Sequence, residues 1–88
     1  LKILKEVETA RGRLRYYLTE SVRSDGIIVY GVKSVTTLFG EREEASVPDI
    51  SSNKETAERF VELIADNIVL PSTLAEIAEE YISAKTTV

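Results

Sequence analysis

The chain has 88 residues, 43% apolar and 30% charged, with a net charge of −4 and neither cysteine nor histidine. That length holds one domain with one modest core, and 1–88 is read as a single unit. The missing residue types exclude a disulfide framework, a thiolate nucleophile, an imidazole base and the ordinary zinc ligands.

No segment approaches the roughly 20 apolar residues of a membrane span, and LKILKEVETA breaks its apolar residues with Lys2, Lys5, Glu6 and Glu8 where a secretory leader would run on. A soluble, cytoplasmic protein is expected. With no methionine and a leucine at position 1, an initiator has been removed or lies upstream. The charge is unevenly placed: residues 1–42 carry net +3 and residues 43–88 carry net −7.

The first segment, ILKEVET, reads as a strand returning through a turn around Ala10-Arg11-Gly12, with a short helix on Leu1, Leu4 and Val7 as the alternative. Next, Leu14, Tyr16, Leu18 and Val22 alternate with polar residues, the period of a half-buried strand. Ser24-Asp25-Gly26 then suits a three-residue hairpin loop, which sets Val22 opposite Ile28, Leu18 opposite Val32 and Tyr16 opposite Ser34.

The run from Ile27 to Phe39 is a long β-branched strand. Phe39-Gly40-Glu41-Arg42 reads as a two-residue turn with Gly40 first, which pairs Phe39 with Arg42, Ala45 with Thr36 and Val47 with Ser34. Pro48 cannot donate to a ladder, so the strand carrying it belongs at a sheet edge.

After Ile50 the period lengthens. Ser52-Asn53-Lys54-Glu55 fits a capping box opening a helix over 52–69 with Ala57, Phe60, Val61, Ile64 and Ile68 inward. Thr73-Leu74-Ala75-Glu76 opens a second over 73–84, burying Leu74, Ile77, Ala78 and Tyr81, with an irregular tail over 85–88. The expected class is therefore α+β: an antiparallel meander of three or four strands over about residues 1–50, then a helical hairpin packed on one face.

Chemistry-bearing groups are few. The glycines are too dispersed for a phosphate loop, and Glu43 and Glu44 point to opposite faces of a strand. Glu76 with Glu79 or Glu80 has a di-metal spacing but lacks the histidine that goes with it. No enzyme activity, cofactor, metal or small-molecule ligand is expected.

What stands out is the outer sheet face, where Arg13, Arg15, Tyr17, Lys33 and Phe39 fall on one side with Val29 and Val35. Left in water by helices on the other side, Tyr17, Val29, Val35 and Phe39 would form a patch for a protein partner, a second copy above all, with Arg15 and Lys33 at its rim. Arginines beside aromatics on an open sheet also suit RNA, with Glu44 on the same face opposing it. Nucleic acid is the alternative partner.

The strings YYLTESV, YGVKSV, EREEASVPDISSNKETAERFVELIADN and LPSTLAEIAEEYI, covering most of residues 14–82, resemble a family of short proteins of unknown function from Gram-positive, spore-forming bacteria. The resemblance implies a β-then-α protein and a bacterial cytoplasm. It brings no activity, cofactor or catalytic residue with it.

Overall fold

The computed structural model describes residues 2–86. Its elements are β1 (Lys2–Thr9), β2 (Gly12–Val22), β3 (Ile28–Leu38), β4 (Glu41–Ser51), α1 (Lys54–Asp66) and α2 (Pro71–Thr86). The four strands form one antiparallel sheet in the order β1-β2-β3-β4. Both helices cover one face, α1 across all four strands and α2 over β4 and β3.

The first segment is thus a strand, with Val7 opposite Leu14. The Ser24–Gly26 loop has three residues, closed by the Arg23 N–H to the Ile27 carbonyl at 2.8 Å, and Gly26 takes the positive φ of 87° that such a loop requires. Its register follows as expected: Val22 pairs with Ile28, Leu18 with Val32 and Tyr16 with Ser34.

The next turn differs from expectation. Leu38 pairs with Glu41, so the loop residues are Phe39 and Gly40, both at positive φ (54° and 77°), where Gly40 was expected to come first. Ala45 consequently faces Ser34, and Val47 faces Val32. The displacement is by two residues, so every side chain stays on its expected face.

Further along, Tyr30 pairs with Ser51 while Val32 pairs with Val47, leaving Pro48, Asp49 and Ile50 bulged opposite Gly31. Pro48 sits on an edge strand where its missing N–H costs no ladder bond. The bulge also turns Ile50 inward, where it is buried.

Leu14, Tyr16, Leu18 and Val32 of the sheet pack against Ala57, Phe60, Val61 and Ile64 of α1 and Leu74 and Ala78 of α2. Val22 does not belong to this core: it lies past the reach of the helices and is 70% exposed. The two helices meet through Phe60 and Tyr81, whose rings lie 4.6 Å apart at 45°.

Helix ends depart from the expected caps. Asn53, not Ser52, is the N-cap of α1, its side chain accepting from the Thr56 N–H at 3.0 Å. Replacing it with alanine should cost about 1 kcal/mol, read as a lower urea midpoint at unchanged slope.

α1 stops at Asp66, three residues before the expected end. The Val69 N–H reaches the Ile64 carbonyl and the Ile68 N–H the Ala65 carbonyl, a Schellman closure that puts Ile68 at φ 51° where glycine is usual. α2 begins at Pro71, whose ring suits the first helical position, so Thr73 lies inside the helix and no second capping box forms. The expected tail is helical through Thr86, and residues 87 and 88 lie outside the described residues.

The loop between the helices is tied down by one side chain from the sheet. The Tyr16 hydroxyl donates to the Val69 carbonyl at 2.9 Å, and burial raises the Tyr16 pKa above its ordinary value. Tyr16→Phe should therefore cost about 1 kcal/mol near neutral pH. Because the folded protein holds this proton more tightly than the unfolded chain, the Tyr16 contribution is intact below about pH 10 and lost as pH rises through the raised value. The Phe variant should lack that part of the alkaline loss when urea midpoints are compared from pH 8 to 11.

Candidate functional site

The outer face of the sheet carries the residues nominated by sequence. As expected, β2 and β3 set Tyr17 opposite Lys33 and Arg15 opposite Val35. The face is nonetheless not an open apolar patch. Val29 and Val35 are only 3% and 8% exposed, and Tyr17 is half-buried.

Two features close this face. At one end the β4 bulge folds over it, bringing the Val47 and Pro48 backbone against Gly31. Arg23 and Asp49 approach at 3.9 Å from opposite sides of β3, flanking the strand near Val29. In the middle, Val35 lies between Arg15 and Glu44 on the neighbouring strands.

Those charges are paired. Arg13 meets Glu8 at 2.9 Å and Glu6 at 3.5 Å, Arg15 meets Glu6 at 3.0 Å, Arg42 meets Glu44 at 2.9 Å, and Lys33 lies 3.9 Å from Glu44. Each pair is partly solvated and worth little stability. Together they neutralise a face that looks basic in sequence. Glu6 and Glu8 reach it because Glu6 pairs with Arg15 and Glu8 with Arg13, a register the sequence did not specify for the first strand. Between them lies a shallow cleft of about 420 Å³ lined by Arg13, Arg15, Tyr17, Val35, Thr37 and Arg42.

Among the described residues, six of the eight exposed large apolar side chains gather at the two ends of the sheet, while Ile3, opposite Tyr17, and Leu63 of α1 stand apart. At the β2–β3 hairpin end are Val22, Ile27 and Ile28; at the other end are Phe39, Ile68 and Leu70. Of the six nominated residues, Phe39 alone is mostly exposed, at 75%.

That second end has a defined shape. The β1–β2 and β3–β4 turns lie side by side, joined by the Phe39 N–H donating to the Arg11 carbonyl at 3.0 Å, and the Arg11 guanidinium sits 5.7 Å from the centre of the Phe39 ring. Next to them is an apolar cleft of about 340 Å³ lined by Ala10, Arg11, Leu14, Leu38, Ile68 and Leu70. From sequence, Ile68 falls in the helix core, Arg11 in the turn after the first strand and Leu70 in the connection between the helices, none of them at a surface site. The signal was Asn67 ahead of Ile-Val-Leu-Pro, which marks a helix stop followed by apolar loop residues.

Among the described residues, no cluster of three or more His, Cys, Asp or Glu is placed to hold a metal ion, and no helix is long and apolar enough to cross a membrane.

These features describe a small two-layer α+β protein with a charge-neutralised sheet face and apolar ends. Residues 1–84 match the model of a family of unknown function (DUF6514), and the chain belongs to that family. No curated protein and no solved structure matches the chain.

Proposed function

We propose that this protein is a non-enzymatic protein-interaction module that associates with a second copy of itself. The observation that carries the reading is the grouping of exposed large apolar side chains at the ends of the sheet, where scattered ones would need no explanation. The lack of histidine and cysteine from the sequence supports a binding role over catalysis.

The outer sheet face was the surface suggested by sequence. Its buried Val29 and Val35 and its ion-paired Arg15 and Lys33 leave it little apolar area to offer, so the weight moves to Phe39 and the ends. RNA binding on that face has the same ion pairs against it, since phosphates would compete with Glu6, Glu8 and Glu44 for the arginines.

Light scattering over a hundredfold range of concentration, with and without a mixed RNA pool at low salt, tests the reading. A mass that rises to twice the monomer and ignores RNA is expected. A constant monomer mass would overturn self-association, and a shift only with RNA would favour the nucleic-acid alternative.

A further inference from the structure

We propose that two copies of this chain meet at the Phe39 end of the sheet, the Phe39 ring of each seated in the apolar cleft of the other and each Arg11 beside the other copy's Glu41. This rests on the self-association reading and names its surface.

Three observations converge on that end. The first is a knob beside a hole. Phe39 is 75% exposed, and the cleft lined by Leu14, Leu38, Ile68 and Leu70 adjoins the same turns. A two-fold contact uses the same patch on both partners, so a protrusion next to a complementary recess is what it requires. A single aromatic ring filling an apolar pocket is also how small interfaces concentrate their affinity.

The second is backbone strain. Phe39 and Ile68 are the two non-glycine residues at positive φ among those described; Ile68 lines this cleft, and Phe39 directly follows Leu38, which also lines it. A bulky side chain is an outlier in that region, where asparagine or glycine would be relaxed. The turn at Phe39-Gly40 has positive φ at both loop positions, which Asn-Gly suits best. The Arg11 guanidinium, 5.7 Å from the ring centre, leaves most of this phenylalanine exposed.

The third is charge. Arg13, Arg15, Arg23, Arg42 and Arg59 each have a carboxylate within 4 Å, whereas Arg11, among the described residues, has none. Glu41, at the base of the Phe39-Gly40 turn, is likewise exposed and outside every ion pair of the described residues. A two-fold axis through this end can bring each of these unpaired charges to its opposite in the other copy, giving two equivalent pairs.

The test uses the whole chain and compares wild type with Phe39→Asn, Arg11→Glu, Glu41→Arg and the double reversal, by sedimentation equilibrium and thermal melting. Phe39→Asn should fail to dimerise, yet melt higher than wild type at concentrations low enough for both to be monomeric, which separates lost contact from lost folding. Each single charge reversal should weaken the dimer about tenfold, and the double reversal should restore it. A wild type that stays monomeric would overturn this proposal together with the self-association reading. A dimer untouched by Phe39→Asn would overturn this surface while self-association stands, and a double reversal no tighter than the singles would overturn the charge pairing.

Discussion

Gly31→Ala should cost about 3 kcal/mol, near the upper end of overpacking penalties, although it adds one methyl to a strand and removes no contact. A Cβ at this position would run into the Val47 carbonyl oxygen and the Pro48 backbone, where the β4 bulge crosses β3. Backbone cannot step aside as a flexible side chain can, so the bulge itself would have to open. Ile50 would then lose its place in the core, and the start of α1, separated from the end of β4 by two residues, would move with it. A domain of this size has total stability on the order of 5–10 kcal/mol, so the variant should unfold at a much lower urea concentration. Gly26→Ala is the control for space, since nothing lies near its Cβ position; its positive φ should limit the cost to about 1 kcal/mol. Equal midpoints for the two variants would mean that the close approach at Gly31 is unimportant.

Phe60→Ala should be the most damaging substitution in the helices, at about 3–5 kcal/mol. Phe60 is wholly buried, in the cluster that joins both helices to the sheet, and its ring meets Tyr81 across the helix–helix contact. Truncation would leave a cavity bounded by both layers, which neither can fill by a local shift. Leu63→Ala, three residues on in the same helix but half-exposed, should change the urea midpoint little. A Phe60→Ala variant with a near wild-type midpoint would show that the two layers are held together elsewhere.

The sheet and its inner face were legible in the sequence because they depend on local periods. Leu14, Tyr16 and Leu18 alternate, and the Ser24–Gly26 loop allows one register that keeps them facing Val32 and Ser34. The turn at Phe39 lies one residue earlier than expected, which shifts the β3–β4 pairing by two, because phenylalanine at positive φ runs against its own preference. A reading by propensity moves the turn onto Gly40 and Glu41. Both helix starts were off for a related reason: Asn53 and Pro71 competed with nearby residues that also make good caps.

The candidate surface was harder to read. Val29 and Val35 look exposed to any argument from alternation, because alternation assigns a face without saying what lies over it. The β4 bulge near Val29 and the pairing of Glu44 with Val35 both follow from a β3–β4 register two residues away from the expected one, and Glu6 and Glu8 reach the face through a β1–β2 register that the sequence did not specify. The cleft beside Phe39 was out of reach for the same reason: it joins two turns to a helix connection some 30 to 60 residues away in the chain.

The strand order has one more consequence, for the route to the fold. Because β1, β2, β3 and β4 are neighbours in space in the order in which they are synthesised, each can close a hairpin on its predecessor without waiting for distant chain. The helices come last, yet they supply more than half of the buried core cluster, Phe60, Ile64 and Leu74 among it. A growing chain that has finished its sheet therefore holds a row of bare apolar side chains, Leu14, Tyr16 and Leu18 among them, until both helices have emerged. That interval, not the native state, is when the molecule is most exposed to aggregation.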